Sequence, residues 1–151
     1  KESYILLYNP HEWFLIGRQE SEKAIIEESE KKKIHWIQII AGKTDLDLEA
    51  KKYFDGRRIE CHLLSQNLFP DNYYVNCFGD FIIEVWLDTK ITEEIEKVYQ
   101  EYQSLDSRVI EKMNSIIKRG GQRNIMKISR NKHKAYRIHK LFKKYFLIKG
   151  L

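Results

Sequence analysis

The chain has 151 residues and a mass of 18.2 kDa, enough for one sizeable core and a single domain, taken as residues 1–151. Hydrophobic residues make up 42% and aromatics 13%, which excludes a disordered chain, and no apolar run reaches the roughly 18 residues a membrane span needs. The net charge of +5 keeps nucleic acid and acidic proteins open as partners, while two cysteines make no disulfide framework and point to a reducing, cytoplasmic setting.

The start, Lys1-Glu2-Ser3, carries no secretory pattern. Residues 3–8 are apolar and rich in strand formers, and Asn9-Pro10 ends the strand as a turn. A short apolar run at 13–16 precedes Gly17. Residues 19–33 are charged and free of glycine, predicting an exposed helix with Ala24, Ile25 and Ile26 as a narrow contact stripe. Residues 34–40 predict a strand of isoleucines around Trp36, closed by Ala41-Gly42, and 45–54 predict a short helix that stops at Asp55-Gly56. In 57–64 the alternation puts Ile59, Cys61 and Leu63 on one face and Arg58, Glu60 and His62 on the other.

Residues 65–72 predict a loop turning at Pro70-Asp71-Asn72. Two strands, 73–78 and 81–87, flank a Gly79-Asp80 turn as a hairpin. Asp88 or Thr89 caps a helix whose residues Ile91, Ile95, Val98, Tyr102 and Leu105 recur at helical spacing. A second helical piece over 108–118 ends at Gly120-Gly121, followed by a strand at 123–129 and a helix from about Asn131 to Tyr145. Strands and helices in this order predict an α/β domain: a mixed sheet with a central hairpin, covered by helices.

Four patterns suggest chemistry. Gly42-Lys43-Thr44 follows a buried strand, but a phosphate-binding loop needs a glycine five residues before Gly42, where Ile37 stands; a plain strand-to-helix turn is expected. Asp71, Asp80 and Glu84 around the hairpin suggest a metal-dependent nuclease, yet Trp86 occupies the place of the usual lysine after Glu84. Glu84 is expected to face solvent or pair with a cation across the sheet. The five histidines show no ligand spacing, so no metal or cofactor is expected. Cys61 and Cys77 lie on neighbouring predicted strands and are expected to approach one another, buried in the sheet. Among the aromatics, Trp36, Tyr74 and Trp86 are the candidates to line a pocket for a planar or sugar-like small molecule.

Charge is the sharpest signal. All 22 acidic residues lie at or before Glu111, so residues 1–111 carry 14 basic residues against 22 acids, net −8, and residues 112–151 carry 13 basic residues and no acid, net +13. The last predicted helix concentrates the effect. His133, Arg137, Lys140 and Lys144 recur along one face, Arg130 lies just upstream, and Ala135, Ile138, Leu141, Phe142 and Tyr145 form the apolar face. Such a stripe suits the phosphates of DNA or RNA, or else the acidic part of the same chain or of a second copy in a homodimer. No zinc-finger, helix-turn-helix or aromatic RNA-binding motif accompanies it.

The run Tyr73-Tyr74-Val75-Asn76-Cys77-Phe78-Gly79-Asp80-Phe81-Ile82-Ile83-Glu84-Val85-Trp86 and the helix after it resemble the late part of the effector domains of archaeal TrmB-like winged-helix transcription regulators. There, a strand, a Gly-Asp turn and another apolar strand precede a C-terminal helix, and the strand at 57–64 fits the same α/β order. The resemblance spans about a third of the chain and implies a class without placing the family's sugar-binding residues or its winged helix. The expectation is a non-catalytic ligand-sensing or dimerisation domain of an intracellular transcription regulator. The alternative is a nucleic-acid-binding domain acting through the basic helix, and the third is a metal-dependent nuclease.

Overall fold

The computed structural model describes residues 3–120 and 123–146. Six strands join in one mixed sheet: β1 (Ser3–Asn9), β2 (Ile34–Ile40), β3 (Ile59–Leu63), β4 (Tyr73–Phe78), β5 (Phe81–Trp86) and β6 (Ile125–Arg130). Their order in space is β3-β2-β1-β4-β5-β6, with β1, β2 and β3 parallel and β4, β5 and β6 added antiparallel. The helices are α1 (Trp13–Gly17), α2 (Gln19–Lys31), α3 (Asp45–Phe54), α4 (Thr89–Glu101), α5 (Ser107–Arg119) and α6 (Lys132–Phe142). The expected α/β class with a mixed sheet and a hairpin is the architecture found. The basic segment supplies the last strand and helix, and no helix among the described residues is long and apolar enough to cross a membrane.

Local chemistry explains where the helices start. Thr44 accepts the amide of Asp47 while Asp47 accepts the amide of Thr44, a reciprocal cap that opens α3 and makes Gly42-Lys43-Thr44 a strand-to-helix turn. Asp88, Asp106 and Asn131 cap α4, α5 and α6 more simply, each side chain accepting backbone amides of the first turn. Gly79, with φ of 59°, provides the left-handed residue of the hairpin turn, and this fixes Phe78 opposite Phe81.

Each face of the sheet carries its own layer. On one face, Leu6, Tyr8, Ile37, Ile39, Val75, Cys77 and Ile82 pack against Ala135, Ile138 and Phe142 of α6. The Tyr8 hydroxyl accepts the amides of Leu68 and Phe69, tying the 65–72 loop to the same face. On the other face, α1, α4 and α5 enclose Tyr74 and Leu87, while α2 and α3 pack with Leu7, Trp36 and Ile40. On that second face the outer part of the hairpin and β6 leaves Phe78, Phe81, Ile83, Met126 and Ile128 exposed.

Some expectations change. The stripe on α2 reduces to Ile26, because Ala24 and Ile25 face solvent. Cys61 and Cys77 are separated by β2 and β1 and lie on opposite faces, since spatial strand order does not follow chain order.

Candidate functional site

The C-terminal end of β1 delivers polar side chains into the interior. In the register of β1 with β2 and β4, Leu7 pairs with Gln38 and Asn76, so Asn9, Trp36, Gln38, Tyr74 and Asn76 all share one face. Asn9 is the last residue of β1, and the chain then turns through Pro10 and His11 to Glu12 at the start of α1. Asn9 Nδ2 donates to Glu12 Oε2 at 2.7 Å, and Gln38 Nε2 donates to the same oxygen. Glu12 is buried, and burial, reinforced by the neighbouring Glu22 carboxylate, raises its pKa to about 8. Burial raises the pKa of Glu22 as well, with Arg18 pulling the other way.

His11 lies beside this pair and joins three elements. Its Nδ1 is 2.9 Å from Asp47 on α3, its Nε2 is 2.9 Å from Glu96 on α4, and its ring stacks on Tyr99 at 4.0 Å. Burial acts to lower its pKa, but the hydrogen bonds to Asp47 and Glu96 outweigh that and raise it to about 9. His11 is therefore an imidazolium held between two carboxylates, a clamp at the end of β1 with both ring nitrogens occupied.

A cavity of about 240 Å³ opens beside Glu12. Asn9, Glu12, Glu22 and Asn76 supply its polar lining, and Phe14, Trp36 and Tyr74 its aromatic walls. The Tyr74 hydroxyl accepts the indole N–H of Trp13, which stacks on Phe14 at 3.8 Å, so two of the aromatic walls are braced. By contrast, the buried indole nitrogen of Trp36 and the buried Oε1 of Gln38 next to Glu12 have no hydrogen-bond partner among the described residues.

Of the three aromatic candidates, Trp36 and Tyr74 thus meet at one cavity, on either side of β1. Trp86 does not join them. It pairs with Tyr73, which points to the opposite face, and it borders a separate open cleft of about 950 Å³ with Arg119 and Arg123. The signal was present in the chain. A two-residue turn at Gly79-Asp80 sets Tyr74 opposite Val85, and the strand's period of two then sends Trp86 to the other face. Glu12 and Gln38 belong to none of the patterns that suggest chemistry in the sequence. A glutamine among the isoleucines of β2, and an Asn-Pro-His-Glu run at the end of a buried strand, were the marks of a polar interior.

The basic candidates divide. Arg130 donates to Asp80 at 2.8 Å and lies over the Phe81 ring. His133, Arg137, Lys140 and Lys144 are exposed, and none of the four has an ion-pair partner among the described residues. Lys134, outside the expected stripe, reaches instead to Glu84, which also accepts the Tyr73 hydroxyl at 2.7 Å. Glu84 is buried, not solvated; desolvation opposes its ionisation, but Lys134 and Tyr73 hold its pKa below the ordinary carboxylate value. Asp80 and Glu84 are each tied to a cation, and among the described residues no three His, Cys, Asp or Glu side chains stand together as a metal site.

No family model, curated protein or solved structure matches the chain.

Proposed function

We propose that this chain is a non-catalytic ligand-sensing domain of a transcription regulator. The observation that carries it is the cavity at the end of β1, where Trp36 and Tyr74 flank the buried Glu12 carboxyl and the Trp36 indole N–H has no partner among the described residues. A concave, aromatic site with a few convergent polar groups is the usual form of a small-molecule site. Its roughly 240 Å³ lies below the about 300–1,000 Å³ of drug-sized pockets and suits a smaller ligand. Pairing of two copies belongs to the same proposal, supported by the exposed apolar side chains of β5 and β6. Native mass spectrometry after incubation with pooled small metabolites tests the ligand. A stoichiometric adduct that is lost in Asn76→Trp, which fills the cavity, is expected; no adduct from any pool overturns the proposal.

A second function has its own support, because His133, Arg137 and Lys140 on α6 and Lys144 just past its end are exposed, without an ion-pair partner among the described residues, and form a surface suited to nucleic-acid phosphates. Fluorescence anisotropy with labelled duplex DNA and single-stranded RNA tests it. Binding that disappears when Arg137, Lys140 and Lys144 are all changed to Gln would establish α6 as the contact. If neither polymer binds at low salt, α6 serves assembly or a protein partner.

A further inference from the structure

Building on the ligand-sensing proposal, we infer that the cavity beside β1 receives a small protonated amine. Its lining holds two carboxyl groups, Glu12 and Glu22, and no Lys, Arg or His. The two are close enough that the Glu22 charge disfavours ionisation of Glu12, so the interior is short of positive charge. Arg18 tempers Glu22 but does not line the cavity.

The remaining groups suit the same occupant. Phe14, Trp36 and Tyr74 supply aromatic lining, and the attraction of a cation to an aromatic ring strengthens when the cation leaves water. Asn9 and Asn76 add side-chain amide oxygens to the lining, and an ammonium group brings N–H donors that match such acceptors. The Trp36 indole N–H, on a side chain that is 6% exposed, is a donor without an acceptor, which a hydroxyl or carbonyl on the same ligand would supply. Ile5, Leu7, Val85 and the partly exposed Ile25 and Ile83 make the rest of the lining apolar, which suits a short hydrocarbon body. The ammonium ion takes the place of the proton that burial keeps on Glu12, and that proton passes to the solvent.

Isothermal titration of the full chain with 2-phenylethylammonium tests this, with the neutral 2-phenylethanol as its near-isostere and Glu12→Gln as the variant. The amine is expected to bind saturably, at least ~10-fold more tightly than the alcohol, and to lose at least ~10-fold in Glu12→Gln. Titrations in two buffers of different ionisation enthalpy are expected to show proton release. Should Glu12→Gln fail to fold by circular dichroism, Glu22→Gln on α2 removes the second charge, and a loss of amine affinity with alcohol affinity unchanged is expected. Equal affinity for amine and alcohol overturns the amine while leaving a ligand-sensing cavity in place. Binding of neither probe at millimolar concentration overturns the amine and removes support for the cavity as a sensor.

Discussion

A Cβ on Gly42 would lie 2.3 Å from Asp47 Oδ2 and 2.9 Å from His11 Cε1, inside the network that clamps the end of β1 to α3 and α4. Asp47 has no freedom to withdraw, because the same oxygen accepts the Thr44 amide and hydroxyl at 3.0 and 2.8 Å. Gly42→Ala is therefore expected to destabilise the fold by about 1–3 kcal/mol in urea titrations. The charge states of the same network give a pH dependence. The pKa of His11 rises from 6.5 to about 9 on folding, so its contribution is fully present below the unfolded value and is lost as pH climbs through 9. That of Glu12 rises from 4.5 to about 8, so the folded chain holds the acid's proton more tightly, and this contribution declines from pH 4.5 to 8. The two slopes share a sign, and each is about 1.4 kcal/mol per pH unit at its steepest. Glu22, raised by burial, adds to the decline. Asp80, Glu84 and Asp106, held low by Arg130, Lys134 and Arg108, act oppositely only at more acid pH, and His139, lowered from 6.5 by burial and by Lys143, offsets part of the decline at its acid end. Stability is thus expected to fall from pH 5 to pH 9, and Glu12→Gln to flatten the decline between 5 and 7 while leaving the His11 part above it. A stability that rises over this interval would contradict the buried charge states.

The elements differ in how much of them the chain spells out. Residues 45–54 read correctly as α3 because Thr44 and Asp47 cap it and the apolar period runs its full length. The hairpin read correctly because Gly79-Asp80 is a local turn signal. The run at 13–16 gave no such mark: α1 has five residues and no side-chain cap, and it is held as a helix by packing against α5. Strand order and the site itself depend on contacts distant in sequence, so neither the gap between the cysteines nor the burial of Glu12 could be read locally. The same contrast governs stability. Val109, Met113 and Ile116 make a fully buried stripe on α5 under Tyr74 and Leu87, whereas Ile128 on β6 is 67% exposed. Met113→Ala is expected to cost about 2–5 kcal/mol and Ile128→Thr to stay within about 0.5 kcal/mol, measured by chemical denaturation. A large loss for the β6 substitution at dilute concentration would mean that the bare face of the sheet is covered even in the monomer.

Across the whole molecule, the split of charge along the chain is carried in part onto the two faces of the sheet, although the basic end of α5 shares the face of the acid-rich helices. The acid-rich helices α2 and α4 lie on the face that holds the cavity, and α6 lies on the other, packed by Ala135, Ile138 and Phe142. Pairing within the chain accounts for part of the basic segment, through Arg119 to Glu94, Arg130 to Asp80 and Lys134 to Glu84. It leaves Arg137, Lys140 and Lys144 exposed with no acidic partner among the described residues. A polyanion on α6 would therefore meet uncompensated charge, which steers its approach before any specific contact forms. Each phosphate neutralised on a duplex contributes about −0.9 to the slope of log affinity against log salt. Changing these three residues together to Gln is expected to make that slope shallower by about 2–3, with amine binding on the other face untouched. An unchanged slope would assign the phosphate contacts to other cations, such as Arg119 and Arg123 at the larger cleft. If the wild-type chain binds no polymer at low salt, the nucleic-acid reading of the basic face is overturned.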